Sequence, residues 1–456
     1  ALLNYQTMVR YLTGMDVANA SLLDEATAAA EAMAMLLRIH GKAHRKDDGP
    51  QVFFVSDKVY PQTLDVLRSR AEPLGIQLEI GPFRAAELDG RHFGALLQSP
   101  DTDGNVSDLR QFIDRAHAVG TLVAVGTDLL ALTLITPPGE MGADVVYGNA
   151  QRFGVPMGYG GPHAAFFATR EANVRELPGR IIGISVDAAG QPAYRMALQT
   201  REQHIRREKA KSNICTAQAL LANMAGFYAT YHGADGLLEI ARRIHGYARI
   251  LESAVKNLGY VQSNPYFFDT LKIEMPADGR IPLAKVQEEA LKRKINLRFE
   301  EPGTVMVALD ETVQLDDLQD IADVFAGAAG QPSVKLAGDI PAELGFHDDL
   351  MRSSAYLTHP VFSAHRSETR LMRYLKMLER KDLGLDQAMI PLGSCTMKLN
   401  AAAEMMPVTW PEFGALHPFA PADQAKGYAQ IFKELEDALA EVTGFAAVSL
   451  QPNAGS

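Results

Sequence analysis

Apolar and polar positions alternate along the first 200 residues in a way that predicts strands separated by helices. Residues 21–40 are rich in alanine with acidic residues in the first turn, residues 61–75 begin with proline and end with glycine, and residues 106–120 are amphipathic. Short apolar runs typical of buried strands lie between these helices, at residues 51–57, 76–81, 93–98, 121–126 and 143–148. This order predicts a parallel sheet covered on both faces, which binds ligands at the carboxyl ends of its strands.

The pattern changes near residue 214. A long helical stretch runs to Gly259, and strands and helices then follow in mixed order to residue 328, which predicts a smaller α+β domain. Turn residues with weak periodicity come next. We therefore expect a large α/β domain at residues 1–213, a small α+β domain at 214–328 and a linker at 329–354.

Two distant parts of the chain resemble each other. Residues 12–31 and 442–456 each continue from a helical run into Thr-Gly and then a small-residue stretch that ends in Ser-Leu. Such self-similarity predicts two copies of one fold, with residues 355–456 as the N-terminal part of the second. The alternative is chance similarity between two amphipathic helices. Because the chain begins with alanine and stops inside a glycine-bearing turn, we expect it to be a fragment, N-terminally truncated in the first copy and ending inside the first loop of the second.

Composition excludes several classes of protein. Acidic residues outnumber basic ones, 55 to 44, whereas a general nucleic-acid binder has a basic surplus. No apolar run is long enough to span a membrane, and the first residues lack the pattern of a secretion signal. Cys215 and Cys395 form no CxxC pair, which is typical of a reducing compartment. The 12 histidines show no zinc-binding spacing, so we expect no metal.

One segment carries candidate chemistry. GNAQRFGVPMGYGGPH (148–163) follows a predicted strand and is similar to the loop by which pyridoxal-phosphate enzymes present their lysine. The glycines of such a loop leave room for cofactor and substrate. However, the sequence has no lysine between Lys58 and Lys209.

Longer motifs give a family resemblance. The matching stretches are residues 21–35, 148–168, 178–190, 195–233, 357–362, 373–413 and 448–456. They resemble the P-protein of the glycine cleavage system, and the resemblance covers essentially the whole chain. It implies two aspartate-aminotransferase-like halves in tandem, each of the fold type I of pyridoxal-phosphate-dependent transferases. It also implies pyridoxal-phosphate-dependent decarboxylation of glycine, with transfer of the aminomethyl group to the lipoyl group of H-protein. This is the activity of glycine dehydrogenase (aminomethyl-transferring), an oxidoreductase.

The resemblance implies that the second half holds the working cofactor. The lysine that forms the Schiff base belongs to that half, in a part absent here, and Gln151 stands at the equivalent position of the first half. Gly126 stands where an aspartate would hold the ring nitrogen, and residues 24–31 (DEATAAAE) replace the phosphate loop. Glutamine offers no nucleophilic amine. We therefore expect no catalytic residue in this chain and no activity from it alone.

Two segments of the second copy are candidate site residues by resemblance. The resemblance implies that the second copy is truncated at its phosphate loop. A turn before a helix suits a phosphate, and the cofactor-binding residues implied there are Asn453, Ala454, Gly455 and Ser456. The residues implied near the active-site entrance are Ser394, Cys395, Thr396 and Lys398. The alternative for this second segment is an ordinary loop before a helix that Asn400 caps. Lys398 is not the Schiff-base lysine, because neither a strand nor a glycine-rich tail flanks it.

The basic segment 200–211 has two interpretations. Thr200 and Gln203 fit a capping box, which predicts a helix with a solvated charged face. The other interpretation is a basic surface for the second half or for an acidic lipoyl carrier. His163 and His204 are candidate pocket residues, with a structural role as the alternative.

Two other functions stay open. The chain could be a non-catalytic partner subunit, or scaffold, of a split P-protein, or another pyridoxal-phosphate enzyme that uses Lys209 or Lys211. For the complete protein we expect pyridoxal 5'-phosphate as cofactor, with glycine and lipoylated H-protein as partners. We also expect a homo-oligomer (dimer) and no binding to nucleic acid or membranes. The expected location is the cytoplasm, or the mitochondrial matrix in a eukaryote.

Overall fold

A computed structural model describes residues 1–43, 51–211, 218–381 and 401–451. Its largest sheet has the strand order β1-β7-β6-β5-β4-β2-β3. The strands are β1 (Val17–Ala18), β2 (Val52–Ser56), β3 (Gln77–Gly81), β4 (His92–Gln98), β5 (Leu122–Asp128), β6 (Val145–Asn149) and β7 (Ala165–Thr169). Strands β2 to β6 are parallel, as predicted, but β7 pairs antiparallel with β6 and with β1. The sheet is therefore mixed.

Helices cover both faces of this sheet. They are α1 (Leu2–Thr13), α2 (Glu25–Ala43), α3 (Pro61–Ala71) and α4 (Arg110–Ala118). Small residues of α2, such as Ala28 and Ala32, pack with Phe53 and Phe93 on one face. On the other face, α1 packs with β7 and with a long helix that begins the next domain. Burial on both faces explains why β2, β4, β5 and β6 are nearly continuous apolar runs, whereas β3, at the edge of the sheet, is partly exposed.

A hairpin and a short helix follow the sheet. The hairpin consists of β8 (Ile182–Val186) and β9 (Pro192–Met196), and the helix is α5 (Gln203–Arg206). The predicted capping box at the start of the basic segment is wrong. The cap residue of α5 is Glu202, without a side-chain cap bond, and Gln199–Arg201 form a separate 3-10 turn.

The smaller domain is α+β, as predicted. It contains α6 (Ala219–Asn257), β10 (Val261–Gln262), β11 (Thr270–Glu274), α7 (Leu283–Lys292), β12 (Arg298–Glu300), β13 (Thr304–Ala308) and α8 (Leu315–Ala328). The four strands form an antiparallel sheet in the order β10-β11-β13-β12. Helix α6 has non-helical backbone at Gly233, where φ is 66° and a kink joins its two parts. Asp103 of the large domain accepts hydrogen bonds from Lys58 at 2.9 Å and from Lys272 of β11 at 3.0 Å, which ties the two domains together.

Short helices dominate the chain after residue 350. They are α9 (Val361–Ala364), α10 (Glu368–Glu379), α11 (Ala402–Met405), α12 (Pro411–Gly414) and the longer α13 (Lys426–Thr443). Helix α13 ends as α1 does. Gly14 and Gly444 have φ of 67° and 73°, and each donates its N–H back to a carbonyl of the last turn. The preceding threonine hydroxyls each donate to the carbonyl four residues earlier at 2.7 Å. The two ends are alike locally, while the start of a second copy stays a prediction.

None of the helices in the described parts of the chain is both long and apolar enough to cross a bilayer.

Candidate functional site

The carboxyl ends of the parallel strands meet at one edge of the large sheet. Tyr60 follows β2, Gln98 ends β4, Asp128 ends β5, and residues 150–153 follow β6. The N-terminus of α2, with Asp24 and Glu25, lies at the same edge, as the electrostatic interactions of Glu25 with Asp128 and Tyr60 demonstrate. This is the edge at which open α/β sheets bind ligands.

The backbone at Gly126 leaves no room for a side chain. A Cβ atom there would overlap the Oε1 atom of Gln98 and would lie 2.8 Å from the ring of Tyr147. Tyr147 is fully buried. Among the described residues, neither its hydroxyl nor Gln98 Oε1 has a hydrogen-bond partner. An aspartate at position 126 would therefore have to displace a buried aromatic ring.

The Gln151 side chain contacts its own loop and places no nucleophile at this edge of the sheet. Its backbone N–H donates to Asn149 Oδ1 at 2.7 Å, and its side-chain Nε2 donates to the carbonyl of Pro156 at 3.2 Å. The side chain thus bonds to the loop that follows it. An amide in this position can neither form a Schiff base nor act as a base.

Arg152, the next residue, is the centre of an ion-pair network. Its Nε lies 2.7 Å from Asp128 Oδ2, and its Nη2 donates to Asp269 Oδ2. Burial lowers the pKa of Arg152, but the two carboxylates outweigh burial and raise it. The guanidinium carbon also lies 5.6 Å from the centre of the Phe268 ring. Since Asp269 belongs to the small domain, Arg152 joins the two domains across the edge of the sheet.

The two carboxylates are fixed by further bonds. Asp128 Oδ1 accepts hydrogen bonds from the backbone N–H of Leu130 at 2.7 Å and of Ala131 at 3.2 Å, so it caps the turn that follows β5. Asp269, which is 5% exposed, accepts a bond from the Thr270 hydroxyl at 2.8 Å. Each carboxylate is therefore held by hydrogen bonds as well as by its ion pair with Arg152.

Carboxylates also occupy the N-terminus of α2. Asp24 Oδ1 accepts from the backbone N–H of Thr27 at 2.7 Å and so caps the helix. Burial, together with Asp128 and Asp24, raises the pKa of the Glu25 carboxyl to about 7. A helix N-terminus ordinarily favours an anion such as phosphate. Here the protein supplies its own acidic groups, which oppose a second anion.

These residues do not fit pyridoxal phosphate. Position 151 has no amine for the aldehyde, position 126 has no space for the carboxylate that would hold the ring nitrogen, and acidic side chains stand at the helix N-terminus. Within the described ranges, no group of three or more His, Cys, Asp or Glu side chains is arranged to hold a metal ion.

The candidate residues of the second copy lie outside the described residues. They are Ser394, Cys395, Thr396, Lys398, Asn453, Ala454, Gly455 and Ser456. Their roles stay predictions.

The basic segment is not simply a solvated face. Arg201 is 4% exposed, and its Nη1 donates to the carbonyls of Leu177 and Gly179. Lys211 forms an ion pair with Glu176. His204, Arg206, Arg207 and Lys209 are exposed. The segment thus combines an internal anchor with an exposed basic surface.

Of the two candidate pocket histidines, one is near the edge of the sheet. His163 is half-buried and interacts electrostatically with Asp24, and burial lowers its pKa. His204 lies elsewhere, on the exposed face of α5. The sequence prediction did not identify Arg152 and Asp269 as site residues. Arg152 could have been found, because it directly follows Gln151 in a loop at a strand end.

Comparisons with known proteins agree with this fold. A family model described as "Glycine cleavage system P-protein" matches residues 1–325. A curated relative, glycine dehydrogenase (decarboxylating) of Nostoc sp. strain PCC 7120, is 54% identical over 460 residues. That alignment covers 100% of this chain and 46% of the relative, so the chain spans less than half the length of that protein.

Solved structures give the same result. A crystal structure of glycine decarboxylase (P-protein) in inhibitor-bound form has 33% sequence identity and a TM-score of 0.65. The match covers 72% of this chain and 75% of that one. Glutamate decarboxylase of Lactobacillus brevis shares the fold at 13% identity, with a TM-score of 0.51 and coverage of 72% and 77%. The large and small domains together have the predicted fold type I of pyridoxal-phosphate-dependent enzymes.

Proposed function

Because the chain belongs to the glycine cleavage system P-protein family, we propose that residues 1–328 are the non-catalytic half of a glycine decarboxylase. In this proposal the complete protein decarboxylates glycine with pyridoxal phosphate. It passes the aminomethyl group to the lipoyl group of H-protein, the activity of glycine dehydrogenase (aminomethyl-transferring). The first half acts as a scaffold for the second and does not itself bind the cofactor.

The observation that carries this proposal is the position of Arg152 between Asp128 and Asp269. At the strand end where a cofactor-binding copy would carry an amine, this copy carries Gln151 bonded to its own loop and then an arginine paired with two carboxylates. The guanidinium of Arg152 thus has two carboxylate partners from the protein itself. It also ties the small domain to the large one, which suits a scaffold better than a site that must admit substrate.

When the complete protein holds pyridoxal phosphate, the cofactor accepts the electron pair that remains after carbon dioxide leaves. In the proposal, the residues of this chain that contact it are Asn453, Ala454, Gly455 and Ser456. Ser394, Cys395, Thr396 and Lys398 line the entrance to the site. The exposed basic residues of segment 200–211 are candidates to contact an acidic lipoyl carrier. We also propose that the complete protein is a homo-oligomer.

The alternative is a non-catalytic partner subunit of a split P-protein. The same network at Arg152 supports it, because a partner subunit would need no cofactor either. The similarity of the ends of α1 and α13 favours the tandem arrangement, since a stand-alone first half would not begin a second copy.

The proposal is tested by incubating this 456-residue chain with pyridoxal phosphate, reducing it with borohydride and locating modified lysines by mass spectrometry. We expect no stoichiometric adduct. A single adduct at Lys209, Lys211 or Lys398 would contradict the assignment.

A second measurement addresses the activity. A longer protein that contains this chain is mixed with lipoylated H-protein and carboxyl-labelled glycine, and labelled carbon dioxide is collected. Release by the longer protein alone supports the tandem enzyme. Release only after a separate chain is added supports the split form.

A further inference from the structure

The glycine-rich loop after Arg152 has an unusual backbone. Gly158, Tyr159, Gly160 and Gly161 all have positive φ, at 51°, 54°, 112° and 144°. Glycine adopts such angles freely, but a tyrosine does so at a cost and only where its surroundings impose it. The residues that surround Tyr159 therefore indicate which contacts hold this loop in place.

Those neighbours come from a distant part of the chain. The backbone N–H of Gly158 donates to the carbonyl of Gly414 at 2.8 Å, and the N–H of Tyr159 donates to the carbonyl of Leu416 at 3.0 Å. The two segments also approach closely. A Cβ atom on Gly160 would lie 3.3 Å from Pro418. Two successive bonds of this kind fix a segment in register against the loop.

The Tyr159 ring makes a second contact with the same region. It stacks on Tyr428 with ring centres 4.3 Å apart and planes 24° apart, and it lies 6.2 Å from the ring of Phe432. The Tyr428 hydroxyl donates to the carbonyl of Phe413 at 2.9 Å. Tyr428 and Phe432 lie in the first two turns of α13, so Tyr159 contacts the start of that helix.

The small domain holds the same region at another point. The side-chain amides of Asn296 and Gln424 bond to each other in both directions, at 2.7 and 3.1 Å. Residues 413–428, which we call the strap, thus contact the loop of the large domain near both ends, at Gly414 and Tyr428, and contact Asn296 of the small domain between them, at Gln424. The rest of α13 extends away, with Leu435 46% exposed and Val442 85% exposed.

We propose that the glycine-rich loop of the first half is a docking site for the strap and that Tyr159 orients α13 on the first half. A loop of this type, placed at the strand end where a cofactor-binding copy presents its lysine, here holds a segment of the chain's own later part. The proposal goes beyond the assigned function and does not depend on it, because it concerns a contact between parts of this chain.

Native-state proteolysis of the full 456-residue chain tests the proposal. The variants are Tyr159→Ala, Tyr428→Ala and the double variant, and the measured quantity is the rate of cleavage within residues 415–445. An aromatic stack of this kind corresponds to about a 3- to 10-fold change in an equilibrium. We expect each single variant to raise the cleavage rate by about that factor, and the double variant to raise it no further. Tyr159→Phe, which keeps the ring, should leave the rate unchanged.

Two controls separate docking from general destabilisation. Tyr194→Ala removes a tyrosine that is 61% exposed on the β8–β9 hairpin and should not change cleavage within 415–445. Tyr428→Ala alters only the strap and leaves the first half intact, so its result stands even if Tyr159→Ala fails to fold. Unchanged cleavage in the Tyr428 variant, or effects that add independently in the double variant, would overturn the proposal.

Discussion

The Nε atom of Arg152 lies 2.7 Å from the Oδ2 atom of Asp128, and the pair joins the ends of the neighbouring parallel strands β5 and β6. Asp128 of β5 lies beside Asn149, the last residue of β6. Arg152 is three residues after Asn149, and its side chain turns back to contact Asp128. Asp269 contacts the same guanidinium from the small domain. One buried carboxylate, Asp269, and one half-buried carboxylate, Asp128, therefore share one cation.

Replacing Arg152 should lower the free energy of unfolding. Arg152→Met leaves Asp128 and Asp269 without their cation. Removing one member of a fully buried ion pair costs about 3–5 kcal/mol of unfolding free energy, and we expect a smaller loss of about 2–3 kcal/mol because Arg152 and Asp128 are partly exposed. Urea unfolding at pH 7 measures the change. Arg68→Met is the matched control, because Arg68 pairs with Asp65 at an exposed site, where such pairs contribute about 1 kcal/mol or less. Equal losses in the two variants would show that the Arg152 network does not stabilise the fold.

Restoring a lysine should not restore a cofactor site. In Gln151→Lys the new amine starts from a side chain directed at Pro156, it neighbours Arg152, and Gly126 still lacks space for a ring-nitrogen carboxylate. We expect no stable absorbance of a bound cofactor and no borohydride-trapped adduct at position 151. Mass spectrometry after reduction checks this, with Lys209 and Lys211 as internal controls. A stoichiometric adduct at the new lysine would mean that the edge of the sheet still accommodates the cofactor.

Local sequence patterns were enough for the parallel core of the fold. The apolar runs at β2, β4, β5 and β6 are buried on both faces, so their composition alone separates them from the amphipathic helices between them. The absence of an amine at position 151 could also be read from the sequence, because it depends on residue type only.

Long-range contacts explain what the sequence did not reveal. Strand β7 (Ala165–Thr169) follows the glycine-rich loop directly, and nothing in its composition tells that it runs antiparallel. Arg201 sits in a charged run typical of a solvated surface, yet two carbonyls from residues 177 and 179 make it an internal anchor. The partner of Arg152 in the small domain, Asp269, is 117 positions away. Such pairings depend on how the domains meet, which periodicity does not encode.

Glu25 should make stability depend on pH near neutrality. Burial, then Asp128 and Asp24, raise the pKa of Glu25 from its ordinary value of 4.5 to about 7. Between these two values the folded state keeps a proton that the unfolded state has lost. The resulting stabilisation is therefore complete below about pH 4.5 and is lost as the pH rises through about 7. The gap between the two values sets an upper bound of about 3 kcal/mol.

Urea unfolding at several values between pH 5 and pH 8 measures this effect in the protein and in Glu25→Gln. The glutamine variant cannot ionise, so its stability should fall less over this window. The difference between the two curves isolates Glu25 from other titrating groups. Parallel curves would show that the Glu25 carboxyl titrates normally in the folded protein.

The exposed face of α13 gives a prediction about the second copy. Aligning Gly14 with Gly444 places Tyr5, Val9 and Leu12, which are fully buried in α1, opposite Leu435, Leu439 and Val442, which are 46%, 36% and 85% exposed. If the two helices are equivalent, the face of α13 is an interior surface that only the complete second half covers. In this chain, Leu439→Lys should change the unfolding free energy by about 0.5 kcal/mol or less. Val9→Lys, which buries an unpaired charge, should prevent stable folding.

The same Leu439→Lys substitution should behave differently in a longer protein that contains the rest of the second half. There the lysine would meet a packed core, and we expect a loss of several kcal/mol together with loss of glycine decarboxylation. Lys433→Ala, on the charged side of the same helix and paired with Asp437, is the control and should remain neutral in both proteins. If Leu439→Lys were equally harmless in the longer protein, α13 would not be the counterpart of α1, and the second-copy arrangement would be wrong.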